Sequence, residues 1–544
     1  MNDANLDPAR VAGVAVFVFG SIAMKRGGLT RAILSRIRLY AQAGINVRLL
    51  LTEPRISELR EEADIRKAWS LPDSVEIRYF WREMTPGGAG APVDRLVAAR
   101  EEPGHTAFPT PAQAGEAVRF FRAGLPAKTK YFTDSGQLHH IKYLDEAGRV
   151  RSDEYFEADG GLVYTDQIDV ATGKPALRRW FDSSGQIWLT TWKSPWGKAS
   201  ASVRHLPQLE VYDDFGEVIA SWVDEILAND VAPIVFSDSR GQDRVLLALR
   251  HPGVRTVAVL HNCHTNEPYT ANAPIKEYWS PLLENIGAFD TIVSLTHRQR
   301  DDVASRFGGS NHIVINHPSP NTEVAQIPRA TNRLVAVARI SRQKRLEDAI
   351  RAFSLAAWHV PGAHFDIYGT GIETTKLEKL VRRLDMGDRI HFRGFTDRPL
   401  EVFAGATAAV LSSRFEGLPL VLNEAMGVGT PFIAYDINYG PAEVIRHEVD
   451  GLLVPSGDVQ AMSEAMVRVL TDPEFAAALS ERAREVKERF SVSRWHDEWM
   501  ALFVDLVRKT PSTDPHDPDS MLTERAAREA SRRSLSETSS PTTT

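Results

Sequence analysis

The chain has 544 residues, 43% hydrophobic and 25% charged, which is enough for more than one hydrophobic core. Its net charge of −7 gives no electrostatic case for nucleic acid or an acidic membrane, although a local basic patch and peripheral membrane contact stay open. The single cysteine, Cys263, excludes an intrachain disulfide framework and fits a reducing cytoplasm.

Taken in order, Val11 to Met24 is apolar but short of the ~20 residues that span a bilayer. It has no basic leader beyond Arg10 and no small-residue cleavage site, so it reads as a buried strand. Gly27-Gly28, an amphipathic segment from Ala32 to Ala43, and a second apolar run from Val47 to Leu51 complete a βαβ unit. The loop is not a G-x-G-x-x-G. Gly28 is either part of a flexible turn or a point where backbone approaches a ligand.

After Trp81 the texture changes. Thr85 to Ala112 is rich in Gly, Pro and Ala. Gly136, Gly148, Gly160, Gly173 and Gly185 then recur every twelve or thirteen residues. Most follow an acid, as in Asp134-Ser135-Gly136 and Asp182-Ser183-Ser184-Gly185, with aromatic and β-branched runs between them. This period predicts an up-and-down antiparallel meander inserted into the α/β pattern over residues 85–204. Its edge strands need protection. Homo-oligomerisation would provide it, as would an extended polymer; a passive insert is the third reading.

The α/β pattern resumes at residue 205. A strand over Val254 to Leu260 ends in His261-Asn262-Cys263-His264, where a histidine can face a sugar hydroxyl or a phosphate. A structural role is equally open to either histidine. No further ligand cluster supports a metal there. From Arg333 to Pro455 a second βα series follows, so the fold class expected is α/β: two facing Rossmann-like domains with an inserted antiparallel domain. The divisions predicted are 1–84 and 205–326 for the first Rossmann-like domain, 327–510 for the second, and 511–544 for a disordered, Ser/Thr/Pro-rich tail.

The second domain carries the chemistry. Arg339 and Lys344 lie at a strand end, where a guanidinium fork and a mobile ammonium can reach a diphosphate. Tyr368-Gly369-Thr370-Gly371 is a glycine turn after the next strand. Ser412 to Met426, SSRFEGLPLVLNEAM, is a strand end, a glycine turn and a helix start, where backbone N–H groups can meet an anion. Glu416 and Glu424 are then acceptors for hydroxyl groups beside that anion. A phosphate flanked by hydroxyls describes a nucleotide sugar.

Arg339 with Lys344, Phe415-Glu416-Gly417 with Glu424, and Asp450-Gly451-Leu452-Leu453-Val454-Pro455 resemble the retaining glycosyltransferases of family 4, which have the GT-B fold. The insert and Asn438-Tyr439-Gly440-Pro441 resemble a narrower group, the α-glycosyltransferases of poly(glycerol- or ribitol-phosphate) wall teichoic acids and relatives that modify Ser/Thr-rich adhesins. The resemblance implies a UDP-sugar as co-substrate, no cofactor, no metal, and a polyol-phosphate, protein or glycan acceptor. It implies that Arg339 and Lys344 neutralise the departing diphosphate, that Glu424 binds the ribose, and that Glu416 contacts the donor sugar. Gly417 and Leu418 would hold the phosphate–sugar junction through backbone N–H groups. Uracil would stack near Arg393-Gly394-Phe395, and His261, with His264 as competitor, would lie by the sugar with Gly28 nearby. The setting implied is the cytoplasm or the inner membrane face. A non-catalytic partner subunit of the same fold is the alternative.

Overall fold

A computed structural model describes residues 13–22, 27–53, 62–88, 90–92, 97–112, 115–157, 160–193, 199–324 and 327–509. Arg10, Asp159 and the expected tail lie outside the described residues. The chain forms two compact units, divided at Arg255/Thr256.

In the first unit, β1 (Val14–Phe19), β2 (Asn46–Leu51), β3 (Val75–Tyr79) and a later strand, Pro233–Ser237, are parallel in the order Pro233–Ser237, β1, β2, β3. Every residue of β1 is buried, as a strand covered on both faces requires. Gly28 opens the helix Gly28–Gln42. A Cβ at Gly27 would meet nothing within 4 Å, so packing within the described chain does not demand a glycine there.

The insert is a ten-stranded antiparallel sheet: β4 (Thr106–Pro111), β5 (Glu116–Arg122), β6 (Leu125–Phe132), β7 (Leu138–Leu144), β8 (Val150–Phe156), β9 (Leu162–Asp169), β10 (Lys174–Phe181), β11 (Ile187–Lys193), β12 (Ala199–Arg204) and β13 (Glu210–Tyr212). Each strand pairs with its neighbours in sequence, which is the expected meander. The five periodic glycines have φ of +80°, +78°, +90°, +68° and +85°, a region other residues enter only with strain. The acids before them have a local reason as well. Asp145 Oδ1 accepts from the N–H of Ala147 and Arg149, and Asp182 Oδ1 accepts from those of Ser184 and Gln186. These are side-chain-closed turns.

Tyr131, His140, Tyr155, Tyr164 and Trp180 sit directly opposite one another on successive strands. Their rings form a column with centroid spacings of 4.4, 4.9, 4.5 and 4.6 Å. Cross-strand aromatic pairs of this kind hold register. Trp81 stacks on Trp180 at 3.6 Å, and its indole N–H donates to the Thr52 carbonyl at the end of β2, joining insert to parallel sheet. The edge strand β4 carries Pro109 and Pro111, which cannot donate to a further strand. That edge is thus blunted locally, a solution the glycine period alone does not show.

In the second unit, β15 (Arg255–Leu260), β16 (Thr291–Ser294) and β17 (His312–Val314) are parallel; Pro233–Ser237 of the first unit is β14 in this numbering. A six-stranded parallel sheet follows: β18 (Arg333–Val337), β19 (His364–Tyr368), β20 (Ile390–Gly394), β21 (Ala408–Leu411), β22 (Phe432–Asp436) and β23 (Gly451–Pro455), in the order β20-β19-β18-β21-β22-β23. The sequence reading divides the Rossmann-like domains at residue 327, and residues 256–324 fall in one compact unit with the six-stranded sheet. The reason is a set of buried polar ties. Asn423 Nδ2 donates to the His317 carbonyl at 2.6 Å, and Ser319 Oγ donates to the Asn423 carbonyl at 3.0 Å. Tyr439 Oη donates to Asp302 at 2.8 Å.

Candidate active site

The site is built from strand ends of the second unit, where ligands bind in open α/β sheets. Three consecutive loops are stitched together by backbone. Gly369 N–H donates to the Gly394 carbonyl at 2.7 Å, Ala338 N–H to Tyr368 at 3.0 Å, and Ile340 N–H to Thr370 at 2.9 Å. A Cβ on Gly369 would overlap the Ala338 carbonyl, and one on Gly371 would lie 2.7 Å from the Ile340 carbonyl carbon. The Tyr368–Gly371 turn therefore needs glycine to pass under the loop that carries Arg339. Arg339 itself is exposed and has no hydrogen-bond or ion-pair partner among the described residues.

Lys344 ends a short 3₁₀ turn, Arg342–Lys344, just before the helix Leu346–His359. Its ammonium lies 2.5 Å from Oε1 of Glu416. The Glu416 turn is fixed to this segment at several points. Ser412 Oγ donates to the carbonyls of Lys344 and Arg345, Arg414 N–H donates to the Gln343 carbonyl, and Gln343 Nε2 donates to the Phe415 carbonyl. Ser413 Oγ donates to Glu416 Oε1 at 2.7 Å, and Gln343 Nε2 reaches Oε2 at 3.3 Å. Glu416 is thus a buried carboxylate with three donors, one of them cationic. Gln343 and Ser413 were not among the predicted site residues. Their signal was only adjacency: one precedes Lys344, and the other lies three before Glu416.

Gly417 lies against the first strand of the unit. A Cβ there would stand 2.6 Å from the His261 carbonyl carbon and 3.0 Å from Asn262 N, so this approach is closed to any other residue. The N–H groups of Gly417 and Leu418 donate to no described residue. They precede the helix Leu420–Gly427, which carries Glu424, 7% exposed, on its buried side. Gly394 ends β20 with φ +73°, and Phe395 beyond it is 61% exposed, a ring open to stacking.

The two histidines differ. His261 is half-buried, its ring 5.7 Å from that of His317. His264 is fully buried, parallel to the Tyr439 ring at 6.1 Å and edge-on to Phe307. Burial, reinforced by Arg306 and Lys276, pushes its pKa down to about 4, so the ring is neutral at physiological pH and enclosed by protein. Arg339, Lys344, Glu416, Gly417, Leu418, Glu424, Gly394, Phe395 and His261 all lie in the second unit; Gly28 belongs to the first. Among the described residues no group of three or more His, Cys, Asp or Glu is placed to hold a metal ion.

The strand ends of this unit and the helix Leu420–Gly427 thus carry two cations, two backbone N–H groups without partners among the described residues, and two buried carboxylates, of which Lys344 and Glu416 are in contact. Residues 321–486 match the family model described as glycosyl transferases group 1, and the fold is of the GT-B class. Among relatives, the chain is 22% identical over 514 residues to the poly(glycerol-phosphate) alpha-glucosyltransferase of Bacillus subtilis (strain 168), covering 89% of this chain and 74% of the relative. It is 22% identical to the poly(ribitol-phosphate) alpha-N-acetylglucosaminyltransferase of Staphylococcus aureus (strain COL), covering 69% and 73%. Its fold matches that of an S. aureus TarM mutant in complex with Fondaparinux, alpha-GlcNAc-glycerol and UDP, with TM-score 0.75, 16% identity, and 90% and 99% of the two chains covered.

Proposed function

We propose that this chain is a retaining, metal-independent hexosyltransferase that moves glucose or N-acetylglucosamine from a UDP-sugar to a hydroxyl of a polyol-phosphate polymer. The observation that carries the reading is the Lys344–Glu416 pair, set beside two N–H groups without partners among the described residues and pressed against the His261 strand end. The named activities of the B. subtilis and S. aureus relatives supply the acceptor class.

In the proposed reaction the bond between the sugar C1 and the β-phosphate oxygen breaks, and negative charge grows on that phosphate. Arg339, the remaining donors of the Lys344 ammonium, and the Gly417 and Leu418 N–H groups stabilise it without reorganising. Glu424 accepts from the ribose hydroxyls and Glu416 from the donor sugar. The acceptor oxygen bonds to C1 on the face the phosphate leaves, and its proton passes to the leaving phosphate oxygen. His261 stands by the reacting sugar, and uracil stacks by Gly394 and Phe395. Among the described residues no helix is long and apolar enough to cross a membrane. We place the enzyme in the cytoplasm, where a buried thiol such as Cys263 stays reduced, with self-association through the insert.

The test is a screen of UDP-sugars by UDP release, with and without poly(glycerol-phosphate) or poly(ribitol-phosphate), followed by the anomeric configuration of the product. Polymer-stimulated UDP release with an α-product supports the reading. Absence of UDP-sugar turnover with every donor overturns it, and a trapped glycosyl–enzyme adduct overturns the same-face mechanism.

A further inference from the structure

Lys276 is 8% exposed, and among the described residues it has no carboxylate partner. Removing an ammonium from water is costly unless its surroundings compensate. Here burial lowers its pKa, and the compensation comes from a backbone carbonyl and aromatic rings, with Tyr269 at 5.9 Å the more distant ring. Its Nζ donates to the Cys263 carbonyl at 2.6 Å and lies 3.8 Å from the centroid of the Phe415 ring. The face of an aromatic ring is an electrostatic partner for a cation.

Both partners border the site. Cys263 is two residues past His261, and Phe415 immediately precedes Glu416. The loop from His261 to Lys276 closes on itself: Lys276 N–H donates to the His264 carbonyl at 2.9 Å, and Thr265 bridges to Ile275. Gln299 Nε2 holds the neighbouring Asn262 carbonyl at 2.7 Å. On the other side, the Tyr269 ring packs on Phe415 at 4.6 Å, Asn438 Nδ2 donates to the Tyr269 carbonyl, and the Asn438 carbonyl accepts from Glu416 N–H. Lys276 therefore touches both the backbone beyond His261 and the ring before Glu416.

We propose that Lys276 is a positioning residue: it ties the His261–Cys263 backbone and the Phe415–Glu416 turn together and so sets the spacing between the His261 side and the Glu416 side of the site. It touches no reacting atom. The role rests on the transferase reading above. It works through geometry, since a displacement of about 1 Å at a reacting centre can cost ~10²-fold in rate.

The experiment compares wild type with Lys276→Met, Lys276→Arg, Phe415→Leu and the Met/Leu double variant, reading kcat and donor KM by UDP release and folding by thermal melt. Lys276→Met, which keeps the apolar stem, should lower kcat by about 10- to 100-fold with donor KM within about 3-fold. Lys276→Arg, which keeps the charge and a donor, should recover at least part of it. The double variant should be no worse than the worse single one, because both changes break the same tie. If the wild type turns over but Lys276→Met stays within 2-fold in kcat, or the two single losses multiply, or Lys276→Arg is as slow as Lys276→Met, the role is overturned while the transferase reading stands. Should Lys276→Met fail to fold, Phe415→Leu alone decides: kcat within 2-fold overturns the role. A wild type without turnover on any UDP-sugar overturns both.

Discussion

The ammonium of Lys344 lies 2.5 Å from the carboxylate of Glu416, seventy-two positions later in the chain. The pair joins the end of β18 to the end of β21, neighbouring parallel strands, and both side chains are largely withdrawn from water. One donor of the ammonium is held by Glu416, which fixes where the cation stands; in the proposed reaction its other donors act on the departing diphosphate.

Replacing Lys344 with Ala should lower turnover by about 10²- to 10³-fold, the usual effect of removing one donor to developing charge. Glu416→Gln should also slow transfer, and the double change should cost less than the product of the two. Steady-state UDP release checks this; fold-losses that multiply in the double variant would show that Lys344 and Glu416 work independently.

Gly417→Ala inserts a methyl into the His261 carbonyl. Backbone must move, so the variant should lose about 1–3 kcal/mol of stability and most activity. Gly387→Ala is the comparison, since a Cβ there meets nothing within 4 Å and the φ is not left-handed. Thermal melts of the two variants should separate clearly.

Glu424→Ala should act on binding. The carboxylate is buried on the helix after the turn, and its proposed partner is the ribose. The expected result is a donor KM raised about 10-fold or more, with weaker UDP binding by calorimetry, as loss of a charge-assisted hydrogen bond implies. Unchanged UDP affinity would remove Glu424 from the nucleotide site.

Asp153 gives a pH prediction for the inserted sheet. It is buried on β8 directly opposite Asp166, with Lys142 opposite on the other side. Burial raises its pKa to about 6, Asp166 adding to the rise while Lys142 and Arg178 oppose it. In the unfolded chain an aspartate titrates near pH ~3.9. Below that value both states hold the proton. As pH rises from ~4 to about 6 only the folded state keeps it, so stability falls across this window and then levels off. Asp153→Asn should therefore be about 1 kcal/mol more stable than wild type at pH 7.5, after allowance for solvent screening, and equal to it near pH 4. Melting temperatures at the two pH values check the difference.

Much of the fold was legible because it is local. The continuous apolar run of β1 announces a strand covered on both faces, and the glycine period announces the meander, since each Gly must take a left-handed φ at a turn. Glu416 and Glu424 were legible for the same reason, being a turn and a helix position within one short stretch. The ring column from Tyr131 to Trp180 was not. It depends on strand register, which the alternation of aromatic residues leaves unassigned until turns and bulges are in place.

By itself, the sequence determined which elements form and where the candidate residues fall on them: Arg339, Lys344, Glu416 and His261 beyond strand ends, and Glu424 on the helix that follows. Only the tertiary structure decided who touches whom. It paired Lys344 with Glu416, enclosed His264 against Tyr439 while leaving His261 half-exposed, and placed Lys276, unremarked in the linear chain, between Cys263 and Phe415. The physical reason is range. Propensity and periodicity act over a few residues, whereas a buried charge must find compensation wherever the fold brings it, here from a carbonyl thirteen positions back and a ring on another strand end.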